Sequence, residues 1–151
     1  PVFSNVMQTL SPQARTTAPG AYIHHQDAPT AVVGELVRRG VSGRVFHSQA
    51  SGGLVEYALA GPEGEQVAFV DQRMELISEA VWQEYFLISS AGQGWQERLD
   101  GYGVQAALLS MDSQVPLIRA MEDASEWTRV QRDETHVLYV ATESETATRW
   151  R

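Results

Sequence analysis

Apolar positions along the chain fall into short runs that switch between helical and strand spacing. Val32, Val33, Leu36 and Val37 recur at helical intervals between an Asp27/Pro29 start and a Gly40 stop, which predicts a helix. Arg44–His47 reads as a short strand, and Leu54–Leu59, behind Gly52-Gly53, as a second helix. Val67–Val70 is a continuous apolar run ending at Asp71, the pattern of a strand buried on both faces, as in a parallel sheet. Ser78 opens a helix carrying Val81, Trp82, Tyr85, Phe86 and Ile88, which Gly92–Gly94 breaks. Trp95, Leu99 and Tyr102 fall on one side of a short amphipathic helix. Val104–Leu109 is a second fully apolar strand. Asp112 or Ser113 is expected to cap a helix whose inner face is Leu117, Ile118 and Met121, with Pro116 in its first turn. Trp127–Arg132 and Thr135–Val140 alternate on either side of Asp133-Glu134, a hairpin with polar residues on one face.

Strands alternating with helices predict an α/β fold: a layered α/β/α domain with a mainly parallel central sheet and a C-terminal antiparallel hairpin as its edge. The 151 residues match one domain. Four of the six prolines lie in residues 1–30, so residues 1–27 read as a proline-rich arm or linker. Residues 28–142 then form the domain, and 143–151 a polar tail. The first residue is Pro1 and not Met, which leads us to expect a piece of a longer protein.

Composition narrows the chemistry. Nineteen acidic residues against eleven basic ones give a net charge of −8, which argues against a nucleic-acid partner, since phosphate backbones need a basic face. All the basic residues are Arg, and Cys is absent. Schiff-base chemistry, Walker-type phosphate loops, thiol nucleophiles and zinc ribbons are therefore excluded. The adjacent His24 and His25, with His47 and His136 far off in sequence, make no metal-ligand spacing. No cofactor is expected.

Two strand ends hold the candidate chemistry. Asp71 and Arg73 follow the Val67–Val70 run, where open α/β sheets place their ligands. They suit either a polar-ligand contact or a structural ion pair. His47 ends the preceding strand, next to Ser48 and Ser51. A His47–Asp71 pair would supply a general base and its orienting group, or His47 is a satisfied polar group in the fold. Gly52-Gly53 would let a backbone approach a ligand, or make a tight turn into a helix. The aromatic middle of the chain, from Trp82 to Tyr102, suits core packing or a sugar-stacking platform.

Four segments in order resemble the soluble C-terminal region of bacterial polytopic membrane proteins of the lipid-linked-sugar glycosyltransferase type, similar to dolichyl-phosphate-mannose mannosyltransferases. They are Gly43–His47 with Gly52–Tyr57, Val70–Arg73 through Glu79 to Tyr85, Trp95 with Leu99–Leu109, and Trp127–Arg132 with Val137–Val140. Gln72 stands where that family carries Gly, and His47 where Asn is frequent. The resemblance spans roughly residues 28–141. It implies a non-catalytic, extracytoplasmic domain, with catalytic carboxylates in a membrane-embedded part of the parent protein. It also implies packing on that part, contact with a sugar or lipid-linked sugar, and His47, Gly52, Gly53, Asp71 and Arg73 as the contact surface. The alternatives are a free-standing small-molecule-binding α/β domain, or a hydrolase using His47 and Asp71.

Overall fold

A computed structural model describes residues 29–38, 40, 41, 43–60, 67–70 and 77–142. The proline-rich arm, His24, His25, Asp71, Gln72, Arg73 and the polar tail lie outside the described residues. Five α-helices and four strands are present among those described. In chain order they are α1 (Thr30–Arg38), β1 (Arg44–His47), α2 (Gly52–Leu59), α3 (Glu79–Ser89), α4 (Trp95–Gly101), β2 (Val104–Ser110), α5 (Val115–Asp123), β3 (Trp127–Arg132) and β4 (His136–Ala141).

The expected helices form where the periodicity placed them, with local reasons for each end. Val32, Val33 and Leu36 bury one side of α1. Gly40, at φ 64°, ends it in the left-handed region that suits glycine. Gly43 enters β1 at φ 105°, a backbone conformation that strains any residue with a Cβ. Ser78 caps α3 by accepting the Val81 N–H at 3.4 Å. The start of α5 departs from expectation. Gln114, not Asp112 or Ser113, is the residue before it, and no side chain caps that end. The Asp112 and Ser113 N–H groups point instead at the Ser110 hydroxyl, at 3.3 and 3.4 Å.

The sheet order is β1-β2-β4-β3. β1 runs parallel to β2, with Val45 opposite Ala106 and His47 opposite Leu108. β4 pairs antiparallel with both β2 and β3. Among the described residues the sheet is therefore mixed, with one parallel pair of strands, and not mainly parallel. The Val67–Val70 run meets the sheet only as a single parallel bridge between Ala68 and Val45, on the outer side of β1. A run that is apolar on both faces reports burial, not strand direction: β4 is buried from His136 to Val140 and is antiparallel to both neighbours. The hairpin also separates its polarity by strand and not by face. Its outer strand β3 is largely exposed, whereas β4 is buried.

Alternation along each strand feeds two apolar clusters. Val45, Ala106, Leu108 and Leu138 join Val32, Leu36, Leu54 and Val55 from α1 and α2. Phe46, Ala107, Leu109, Val137 and Tyr139 join Tyr85, Ile88, Leu99, Leu117 and Met121 from α3, α4 and α5. Phe69 belongs to the second cluster, with its ring 5.0 Å from that of Phe46 and 4.9 Å from that of Tyr102.

Candidate functional site

Beyond the carboxyl ends of β1 and β2 lies a half-open cleft of about 470 Å3. Ligand sites of open α/β sheets occupy this position. Its walls come from the turn after β1 (Ser48, Gln49, Ala50), from α3 (Tyr85, Phe86, Ser89), and from the connection after β2 with the start of β4.

Tyr85 and Gln114 hold these walls together. The Tyr85 hydroxyl accepts the Gln49 N–H at 2.8 Å and so ties α3 to the turn after β1. Burial raises the phenol's pKa, with the Gln49 N–H and the neighbouring Ser89 hydroxyl pulling the other way. The phenol stays protonated and presents a hydroxyl to the cleft. Gln114 is 1% exposed. Its Oε1 accepts the Ser110 N–H at 3.0 Å, and its Nε2 donates to Ser89 Oγ at 3.1 Å and to the His47 carbonyl at 3.4 Å. The residue that precedes α5 thus spends its side-chain amide inside the fold, joining β1, β2 and α3.

A row of hydroxyls and one imidazole crosses the back of the cleft. Ser48 Oγ lies 2.7 Å from Ser51 Oγ, and Ser51 Oγ is 3.4 Å from His136 Nε2. His136 Nδ1 is 2.9 Å from Thr135 Oγ1, which donates to Asp133 Oδ1 at 3.1 Å. A carboxylate only accepts, so the Thr135 hydrogen is committed to Asp133 and His136 Nδ1–H must donate to Thr135. In the neutral ring His136 Nε2 accepts from Ser51, and in the imidazolium it donates to Ser51 instead. Ser48 lines the cleft at the end of this row. The same Asp133 oxygen accepts the N–H groups of Thr135 at 2.8 Å and His136 at 2.7 Å. Burial alone would raise the Asp133 pKa; these bonds and the nearby imidazole outweigh it, and the net shift is downward.

Phe86 is 59% exposed and lines the same cleft. Trp82 stacks beside it, with ring centroids 5.7 Å apart and planes 27° off parallel. Tyr85 meets both rings edge-on, at 5.6 and 5.5 Å. An aromatic face at the edge of a hydroxyl-lined cleft offers stacking area next to hydrogen-bonding groups.

The residues singled out from sequence fare differently. His47 is fully buried and does not line the cleft. Its Nδ1–H donates to the Ser48 carbonyl at 2.7 Å, and its Nε2 accepts the N–H of Phe69 at 3.0 Å and of Val70 at 3.4 Å. Its ring therefore fastens the Val67–Val70 segment to the end of β1, and acting as a general base would require breaking one of these bonds. Gly52 is buried, with its N–H bonded to the Gln49 carbonyl. Gly53 is exposed, and a Cβ there would meet open space, so no close backbone approach explains it. Asp71 and Arg73 lie outside the described residues. Sequence reasoning missed Tyr85, Gln114 and His136 as one group. Tyr85 read as core by its spacing, and the other two meet it only through tertiary pairing. Among the described residues, no cluster of three or more His, Asp or Glu side chains is arranged to hold a metal ion. No helix among them is long and apolar enough to cross a membrane. Comparisons with protein-family models, with curated proteins and with solved structures found no match to this chain.

Proposed function

We propose that this chain is a non-catalytic, extracytoplasmic domain of a multi-pass, glycosyltransferase-like membrane protein, which packs on the membrane-embedded part and contacts a sugar or lipid-linked sugar at the strand-end cleft. The observation that carries the sugar contact is Phe86. An exposed ring, stacked on Trp82, stands beside the Tyr85 hydroxyl and the Ser48 oxygen. A pyranose has an apolar C–H face and hydroxyls that both donate and accept, and so complements such a surface. The parentage is supported by the resemblance and by where its segments meet. Tyr85 of the second segment lines the cleft, and other parts of its wall come from residues that directly flank the other three: Ser48, Gln49 and Ala50, then Ser110, then Thr135 and His136. The α/β/α layering belongs to the same reading. It is supported by α1 and α2 sharing one apolar cluster and α3, α4 and α5 the other.

The parentage is tested by the source gene's reading frame on the Pro1 side. Several apolar stretches of about 20 residues each are expected there. A start codon beside Pro1 with no such stretch would overturn it. The second reading, a free-standing small-molecule-binding α/β domain, would then stand on the cleft volume of about 470 Å3, which is within the range of ligand sites.

A further inference from the structure

The connection between β2 and α5 separates the strand-end cleft from a second concavity. Asp112, Ser113 and Gln114 face the first, whereas Met111 and Val115 line the second, which has a volume of about 270 Å3. Ile118 and Val137 complete an apolar lining, and Arg119 of α5 and Arg132 of β3 border it. Neither guanidinium forms an ion pair among the described residues. Glu122 also borders this concavity, but its Oε1 is engaged by the Tyr139 hydroxyl at 2.6 Å and by Arg129 at 2.9 Å. Arg129 pairs directly with Glu122, on which Arg132 acts only at longer range, and the Arg119 and Arg132 guanidiniums remain without a direct ion pair around an apolar hollow in a chain of net charge −8.

We propose that this concavity is a binding site for a small organic carboxylate with an apolar body, its carboxylate held by Arg119 and Arg132 and its hydrocarbon part set against Met111, Val115, Ile118 and Val137. Guanidinium forks match carboxylate oxygens in pairs. The apolar lining excludes a bare inorganic anion as the best occupant, because such an ion would leave that surface wet. The volume suits one ring or a short alkyl chain. The inference does not rest on the sugar-contact reading, since the two sites share a connecting loop but no lining residue.

The test is a titration of the 151-residue chain with sodium octanoate, followed by the methyl resonances of Ile118, Val115 and Val137. Inorganic phosphate and hexanol serve as the charge-only and apolar-only probes. Saturable shifts with octanoate are expected, larger than with either control. The double substitution Arg119→Gln with Arg132→Gln should weaken octanoate by about tenfold or more and leave hexanol unaffected. Both arginines are exposed, and an unchanged circular dichroism melt verifies that the variant is folded. Absence of saturable shifts in the millimolar range, or octanoate binding unaffected by the double substitution, would overturn the proposal.

Discussion

Gln114 joins three parts of the molecule with one side chain, and its removal separates lost bonds from lost packing. In Gln114→Leu the Ser110 N–H loses its acceptor and the His47 carbonyl loses a donor. Leaving such groups buried and unpaired costs about 1–3 kcal/mol, read as a lower urea midpoint at unchanged slope. Asp133 sets a pH dependence. Its pKa is lower in the folded chain than when unfolded, so the unfolded chain binds its proton more readily. The stabilisation is full above the unfolded value of about 4 and is lost as pH falls through the lower folded value. Glu122, whose carboxylate accepts from the Tyr139 hydroxyl and pairs with Arg129, is lowered too and acts with the same sign. The melting temperature should therefore fall below about pH 4. Asp133→Ala should be less stable at neutral pH and show a shallower acid decline. An equally steep decline in that variant would remove Asp133 from the account.

At the scale of elements, α3 shows what a one-dimensional pattern conveys and what it omits. Val81, Trp82, Tyr85, Phe86 and Ile88 read together as an inner face, yet Tyr85 and Ile88 are buried while Phe86 is mostly exposed. The helix is apolar on more than one side, so periodicity gives its existence but not its orientation. The ends of α1 and α3 were legible because Gly40 and Ser78 act on neighbouring backbone. The antiparallel insertion of β4 was not, because strand direction depends on which distant segments pair, which no local pattern records. For the same reason His47 and His136 were seen as isolated residues, and the row from Ser48 to Asp133 was invisible. The Val67–Val70 segment gives an energetic check. Phe69 is 6% exposed and packs on Phe46 and Tyr102. Phe69→Ala should therefore cost about 3–5 kcal/mol, even though the segment makes only one bridge to the sheet. A loss under about 1 kcal/mol in chemical denaturation would place that ring outside the core.

For the molecule as a whole, a mixed sheet with apolar clusters on both faces leaves polar groups to collect at the ends of its strands. Beside the carboxyl ends of β1 and β2 lie Tyr85, Ser48, Gln114 and His136, each already bonded to a neighbouring group: Tyr85 to the Gln49 N–H, Ser48 and His136 to Ser51, and Gln114 to Ser89. Such pre-organisation suits recognition of a neutral ligand, since little side-chain freedom is left to lose on binding. The most direct test is a titration of the chain with mannose, glucose and galactose, following the ring and amide resonances of Trp82, Phe86 and Gln114. Phe86→Ala is measured alongside; at a position 59% exposed, it should change stability by no more than about 0.5 kcal/mol. The account predicts saturable shifts centred on these residues with at least one sugar, abolished in the Phe86 variant. No saturable shift with any of the three, or shifts that persist in Phe86→Ala, would contradict it.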